Sequence, residues 1–91
     1  MTDIKQWTKL FKAFGNVSRL RIIALLSKDG EMPVMEIARQ IHVTLRGTSK
    51  HLLLLHGLGI LDRDGRAGQV FYSINRSIDP SAKSLMERFL R

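Results

Sequence analysis

One stretch of the chain carries two different faces of a helix, and it constrains the fold more than any other feature. Residues 44–58 read T-L-R-G-T-S-K-H-L-L-L-L-H-G-L. Thr48, Leu52 and Leu55 recur at i, i+4 and i+7, the spacing that a helix buries against a core. The hydroxyl of Thr44 can cap the free N–H groups of the first turn. The pattern therefore predicts an amphipathic helix over these residues.

The opposite face of this helix carries a different set of side chains. The same spacing groups Arg46, Ser49, Lys50 and Leu53 on that face. Two cations one turn apart, with a hydroxyl between them, suit contact with a polyanion. A solvated surface helix gives the same pattern, so this face alone does not decide between solvent and nucleic acid.

A shorter helical pattern lies immediately upstream. Its apolar stripe consists of Val34, Ile37, Ala38 and Ile41. Only His42 and Val43 separate it from the two-faced helix. Two helices joined by so tight a turn match a helix-turn-helix, in which the second helix is offered to the major groove of DNA.

Two further helices are predicted before this pair. The first covers 3–14 and ends at Gly15, and the second covers 17–27 with Asn16 as its N-cap. Residues 28–31 read as a turn, and Pro33 fits the first position of the third helix, where no N–H is needed. The large apolar residues of the first helix, more than one thin core can cover, are Ile4, Trp7, Leu10, Phe11 and Phe14.

Apolar residues recur about every 3.6 residues before Gly59 and every 2 residues after it. Gly59 is the residue predicted to end the two-faced helix. Two β-capable runs, 60–64 and 69–74, flank a glycine-bounded tip at 65–68 and predict a hairpin. One face of the second run carries Val70, Tyr72 and Ile74. A last helix follows Asp79 as its cap, with Pro80 at its first position. Its apolar stripe is Ile78, Leu85, Met86, Phe89 and Leu90.

Composition limits the function classes. A length of 91 residues suits one domain, and 15 Lys and Arg against 8 Asp and Glu give a net charge of +7, which favours a polyanionic partner. The chain has no cysteine, so disulfides, thiolate metal sites and cysteine nucleophiles are excluded. The sequence shows no apolar run long enough to span a membrane and no signal-peptide core at its start. We expect a soluble, cytoplasmic protein.

Four segments in the correct order resemble ArsR-type repressors over residues 11–75. F-K-A-F-G-N-V-S-R-L-R-I-I-A-L-L resembles the second helix of that family, and E-M-P-V-M-E-I-A resembles its third. T-S-K-H-L-L-L-L resembles the recognition helix, and L-G-I-L-D-R-D-G-R-A-G-Q-V-F-Y-S-I-N resembles the wing. The resemblance implies a mainly α winged helix-turn-helix, α-α-α-α-β-β-α, in a dimeric prokaryotic transcription regulator, most simply a repressor. One domain is expected over residues 1–91.

The resemblance also implies two sets of site residues. The predicted DNA-binding set is Thr44, Leu45, Arg46, Thr48, Ser49, Lys50, His51, Arg63 and Arg66. Arg46 is expected to read a base, and Arg66, at the hairpin tip, is expected to follow a phosphate or enter a minor groove. First and last helices build the dimer interface in such regulators. The predicted interface set is Trp7, Leu10, Phe11, Phe14, Leu85, Met86, Phe89 and Leu90.

The sequence departs from the metal sensors of that family. Many carry a cysteine pair in the third helix, as E-L-C-V-C, where this chain has Pro33 and Met35. The last helix has no histidine, and its carboxylates are Glu87 and the capping Asp79. We therefore predict no metal site and no cofactor. Met32 and Met35 are expected to fill the core. A further departure is Gly47 inside the recognition helix, which either lets DNA approach closely or has no role.

The other polar residues do not predict an enzyme. His51 and His56 are five positions apart and do not share a helix face, so a metal-binding pair is absent. Ser18 and Ser49 have no His–Asp arrangement that the periodicity would bring to them. The glycines of the hairpin tip lack the Lys-Ser/Thr of a phosphate loop. Two alternatives to a repressor stay open: a winged-helix docking module that does not read DNA, and a sensor of an effector that the sequence does not name.

Overall fold

The computed structural model describes residues 3–90 of the chain. Its elements are α1 (Ile4–Phe14), α2 (Val17–Asp29), β1 (Met32–Pro33), α3 (Val34–Ile41), α4 (Leu45–Gly57), β2 (Leu61–Arg66), β3 (Gln69–Ile74) and α5 (Pro80–Phe89). The prediction of a mainly helical architecture with a small hairpin before the last helix is confirmed.

Side-chain caps begin the helices where the sequence predicted them. The Asn16 side chain accepts from the N–H of Arg19 at 3.1 Å, and Asp79 accepts from Ser81 at 3.0 Å. Thr44 Oγ1 accepts from the N–H of Gly47 at 3.0 Å. Each bond satisfies an N–H that has no partner inside the helix, so the starts of α2, α4 and α5 are set locally.

The turn between α3 and α4 is short because the end of α3 closes on itself. His42 adopts a left-handed conformation with φ 58°. The N–H of Val43 donates to the carbonyl of Ala38 at 3.2 Å, and the N–H of His42 donates to Arg39 at 3.4 Å. These two bonds form the Schellman pattern, after which Thr44 starts the next helix.

Gly47 has a structural role in this turn. A Cβ at this position would lie 3.0 Å from Val43 Cγ1 and 3.1 Å from Thr44 Oγ1. Both distances are tighter than ordinary van der Waals contact, and one involves the capping oxygen itself. The glycine therefore lets the turn fold tightly onto the first turn of α4, at a cost of about 1 kcal/mol in helix propensity.

The predicted end of α4 at Gly59 is confirmed. Gly59 has φ 77°, and its N–H donates to the carbonyl of His56 at 3.0 Å. The N–H of Ile60 donates to Leu55 at 3.0 Å, which completes a second Schellman pattern. This sharp end turns the chain directly into β2.

The sheet contains a strand that the sequence did not predict. β1 pairs antiparallel with β3, Met32 opposite Tyr72, so the strand order is β1-β3-β2. The prediction that Pro33 begins the third helix was wrong: Pro33 is in β1 and precedes α3, which begins at Val34. Pro33 lies on an edge strand, where its missing N–H breaks no ladder bond. The predicted turn at 28–31 was also too long, since α2 runs to Asp29.

The hairpin tip is tighter than the sequence suggested. β2 extends to Arg66, which pairs with Gln69, and only Ala67 and Gly68 lie between the strands. Both have positive φ, 50° and 78°, as a type I′ turn requires. The prediction that Arg66 lies at the tip was therefore wrong, because Arg66 is the last paired residue of β2.

One hydrophobic core joins the helices to the sheet. Its buried residues are Leu10, Ala13, Phe14, Ile22, Ile23, Leu26, Met32, Ile37, Ile41, Leu52, Leu55, Ile60, Leu61, Tyr72, Ala82 and Met86. The prediction for Met32 is confirmed, whereas the prediction for Met35 was wrong: Met35 is exposed on α3. Within residues 3–90, no helix is long and apolar enough to cross a bilayer.

Thr48 is a polar residue inside this core, with 0% of its side chain exposed. Its Oγ1 has no hydrogen-bond partner among residues 3–90. A buried hydroxyl without a partner loses its bonds to water and gains none in return.

Replacing Thr48 by Val should therefore raise the free energy of unfolding by about 1 kcal/mol. Valine keeps the branching at Cβ and removes only the hydroxyl. Urea unfolding at a fixed protein concentration measures the change. Thr8→Val is the matched control, since the Thr8 hydroxyl is exposed and donates to the carbonyl of Ile4 at 2.8 Å. A loss of stability in Thr48→Val would contradict the expectation.

Candidate nucleic-acid interface

The outermost row of α4 lies directly opposite its buried row. Burial of Thr48, Leu52 and Leu55 turns the other side of the helix to solvent. Arg46, Lys50 and Leu53 occupy that side at i, i+4 and i+7, and all three are exposed. We call these three residues the outer row.

The charges of the outer row are not neutralised within the protein. α4 contains no acidic residue. Among residues 3–90, no carboxylate forms a salt bridge with Arg46, Lys50 or Arg63. Arg46 also lies in the first turn of α4, where the free N–H groups of the helix carry partial positive charge. The face is therefore suited to an anion.

The other predicted DNA-binding residues divide by exposure. Leu45 is exposed, Ser49 and His51 are half-buried, and the Thr44 hydroxyl is engaged in the helix cap. The prediction that Thr48 contacts DNA was wrong, because the Thr48 side chain is buried in the core. Its spacing had already assigned it to the buried row, and the burial decides between the two interpretations.

Arg66 on the wing is held by the protein itself. Its guanidinium pairs with the carboxylate of Glu31, and Arg66 Nε lies 3.0 Å from Asp64 Oδ2. It also lies over the ring of Phe71, 4.2 Å from the centroid. Arg66 is therefore less free to follow a phosphate than the sequence suggested. Arg63 is the less restrained wing cation, 5.8 Å from the ring centroid of Tyr72.

Arg19 joins three helices and was not identified from the sequence. Its Nε donates to the carbonyl of Ala13 at 2.9 Å, and its NH2 donates to that of Lys12 at 2.8 Å. These carbonyls belong to the last turn of α1, where a cation is favourable. Arg19 NH1 lies 3.3 Å from Nδ1 of His51 on α4. No local spacing pattern signals this link, because its partners are 6, 7 and 32 positions away.

The contact with Arg19 fixes the protonation pattern of His51. A guanidinium only donates, so Nδ1 accepts and the ring proton lies on Nε2. Burial, and second the charge of Arg19, lower the pKa of His51 from its ordinary value. His51 is thus held neutral, with Nε2–H as its donor.

The predicted dimer-interface residues also divide by exposure. Phe11 and Phe89 are 58% and 62% exposed and line the same groove of about 280 Å³. Trp7 stacks on Phe11 with ring centroids 5.7 Å apart. Three residues of the predicted set are mostly buried within the protomer: Leu10, Phe14 and Met86. Leu85 and Leu90 are half-buried. Ile4, which is outside the predicted set, is also exposed on α1.

Metal-ligating side chains do not gather in the part of the chain that is described. Among residues 3–90, no three His, Asp or Glu side chains come close enough together to hold a metal ion.

Comparisons with known proteins agree with this architecture. No protein-family model matches the chain. A cadmium resistance transcriptional regulatory protein CadC homolog of Staphylococcus aureus is 35% identical over 80 residues; the match covers 88% of this chain but only 64% of that relative. The transcriptional repressor SdpR of Bacillus subtilis is 30% identical over 82 residues, with 89% of each chain covered.

Solved structures extend the comparison. The homodimeric winged helix-turn-helix DNA-binding domain Mb0332 of Mycobacterium bovis, a possible ArsR-family transcriptional regulator, matches with a TM-score of 0.79 and 26% identity. The match covers 93% of this chain and 75% of that one. Fold and relatives define a winged helix-turn-helix domain of transcriptional regulators, with α3 and α4 as the helix-turn-helix and β2 and β3 as the wing. The chain belongs to the ArsR family of these regulators.

The low pKa of His51 predicts a pH dependence of stability. The unfolded chain has a His51 pKa near the ordinary value of about 6.5 and the folded chain a lower one, so unfolding takes up a proton as the pH falls. The stabilisation is present above pH ~6.5 and is lost as the pH falls toward the folded value.

His51→Gln should therefore show a smaller loss of stability between pH 7.5 and pH 5 than the wild type. Urea unfolding across this range measures it, and His56→Gln, an exposed histidine of the same helix, is the control. Equal pH dependence in His51→Gln and the wild type would exclude a role for His51.

Proposed function

We propose that the chain is a homodimeric repressor that binds double-stranded operator DNA through the outer row of α4. The observation that carries the proposal is a pair of cations without carboxylate partners, Arg46 and Lys50, directly opposite a fully buried row. Arg46 suits a guanine, whose O6 and N7 can accept two hydrogen bonds from a guanidinium. Lys50 suits a phosphate or a base edge. A chain with this role works in the cytoplasm, at the nucleoid.

Two half-buried side chains, one on each flank of the buried row, can support the outer row. Ser49 is half-buried toward the wing, where it lines a groove with Leu45, Gln69 and Val70. On the other flank, His51 has a neutral ring with a donor at Nε2, which suits a phosphate oxygen. Such contacts position a protein on the duplex without reading its sequence.

The two arginines of the wing differ in how freely they can contact DNA. Arg63 has no salt bridge within residues 3–90 and can follow the DNA backbone. Arg66 must share its charge with Glu31 and Asp64, so it adds less to phosphate binding. We assign Arg66 chiefly to holding the wing against the segment before β1.

Dimerisation through α1 and α5 would bring two recognition helices to successive major grooves, about 34 Å apart. The exposed rings of Phe11 and Phe89 and their shared groove support this part of the proposal. The homodimeric state of the similar Mycobacterium bovis domain supports it as well. Contiguous exposed apolar surface of this kind often marks a protein interface.

Regulation by a thiolate metal site is not part of the proposal. The Staphylococcus aureus relative is named for cadmium resistance, but this chain has no cysteine in its 91 residues. Pro33 and Met35 stand at the positions that match the cysteine pair of many family sensors. We therefore propose a regulator whose DNA affinity does not depend on soft metal ions, with an effector of another kind or none.

A docking module is the second candidate, and one observation favours it. Leu45, Leu53 and Leu54 are exposed on the helix that should face DNA. Apolar side chains on a recognition face also suit a protein partner. Variants of the outer-row and wing arginines separate the two functions.

Arg46→Ala should weaken operator binding by about 1–3 kcal/mol and relax preference at one base pair. Arg63→Ala should weaken binding to all DNA sequences alike and reduce the slope of log affinity against log salt concentration by about one unit. Arg66→Ala should have the same two effects to a smaller extent. Operator sequences are first obtained by selecting the duplexes that the wild type binds from a randomised library. The affinity of each variant is then measured across a series of salt concentrations.

Arg76→Ala is the charge-matched control, since Arg76 lies in the loop before α5 and lines a cavity with that helix. It should reduce affinity less than Arg46→Ala. If no variant changed binding, or if the wild type selected no sequence, the docking module would replace the repressor.

The wild type should sediment as a dimer at micromolar concentration, and the double variant Phe11→Ser/Phe89→Ser should shift toward monomer, because it removes the largest exposed rings of α1 and α5. Met35→Ser is the control, since it removes exposed apolar surface from α3 instead. A monomeric wild type would refute the dimer, and equal dissociation by Met35→Ser would refute its location.

A further inference from the structure

Leu53 is an apolar residue in a row that is otherwise cationic. It is 51% exposed, and it stands one turn beyond Lys50 on the outer row of α4. The core does not use it, because the buried positions of α4 are Thr48, Leu52 and Leu55. The next position of the row is Gly57, which has no side chain, and nothing lies within 4 Å of where its Cβ would be. The surface of a binding partner can therefore approach Leu53 closely.

We propose that Leu53 contacts the C5 methyl group of a thymine and thereby selects one base pair in each half of the operator. This inference rests on the proposed function and deepens it. Thymine is the base that presents a methyl group in the major groove, and apolar side chains contact it there. A leucine cannot bond to a phosphate, so a phosphate contact would leave its side chain without a favourable partner.

The charges beside Leu53 favour DNA over an apolar protein surface as the ligand of this surface. Arg46 and Lys50 precede Leu53 on the same row, and neither has a salt bridge within residues 3–90. An apolar protein surface would have to bury two unpaired cations to reach Leu53, at a high desolvation cost. The major groove supplies phosphates and base acceptors for the cations and a methyl group for the leucine.

The helix geometry predicts where the thymine lies. Leu53 follows Arg46 by seven residues, which is roughly 10 Å along the helix axis. With the axis along the groove, this distance corresponds to about three base-pair steps of B-DNA. The thymine should therefore lie about three base pairs from the pair whose preference Arg46→Ala relaxes.

Leu54 provides a control of the same chemical type. It is the next residue, 38% exposed, and it lies on a neighbouring face of the helix rather than in the outer row. Removing either leucine side chain should leave the core intact. Thermal unfolding of Leu53→Ala and Leu54→Ala checks that both variants fold as the wild type does.

The test removes the methyl group from the DNA and the leucine from the protein in turn. Each thymine of a selected operator is replaced by uracil, which differs by the C5 methyl alone, and the full chain is titrated with each duplex. At one position per half-site, wild type and Leu54→Ala should lose about fourfold in affinity, the equivalent of burying one methyl-sized group. Leu53→Ala should bind thymine and uracil operators equally, and Leu53→Met should retain the discrimination.

The outcomes separate this inference from the proposed function. If the wild type binds its operator selectively but no uracil substitution acts through Leu53, the inference falls and the repressor stands. Discrimination lost in Leu54→Ala instead of Leu53→Ala also overturns it. If the wild type selects no DNA sequence, the proposed function fails first.

Discussion

Three fully enclosed side chains, Thr48, Leu52 and Leu55, fix the rotation of α4 about its own axis. A helix with one buried row has no freedom to choose which row it presents to solvent. The caps at Thr44 and Gly59 fix its ends, and the short turn after His42 fixes its entry from α3. The buried residues of α4, and not the outer-row residues themselves, therefore determine where each outer-row side chain lies.

The fold was largely predictable because its signals are local. Helix periods, caps at Asn16, Thr44 and Asp79, and the glycine at the end of α4 each act over a few residues. The strand β1 was missed because two residues show no period, and their pairing with β3 is about 40 positions away in sequence. The exposure of Met35 was missed for a similar reason: its side chain is apolar, but its position on α3 turns it away from the core.

The candidate site was predictable in part. The spacing rule found Arg46 and Lys50, whose exposure depends only on which face of α4 is buried. It misassigned Thr48, which satisfied a motif and a buried row at once. It could not foresee the pairing of Arg66 with Glu31, 35 positions away, or the contact of Arg19 with His51, 32 positions away. Interactions between residues so distant in sequence depend on tertiary packing and leave no periodic trace. For the same reason, the sequence overstated how much of Leu10, Phe14 and Met86 an isolated protomer leaves exposed.

The guanidinium of Arg19 connects α1 directly to α4. It holds two carbonyls at the end of α1 and a ring nitrogen on α4 with one rigid planar group. The end of α1 cannot turn relative to α4 unless at least one of these bonds is broken or exchanged for water. The end of α1 and the middle of α4 are thus held together by a residue of α2, which belongs to neither helix.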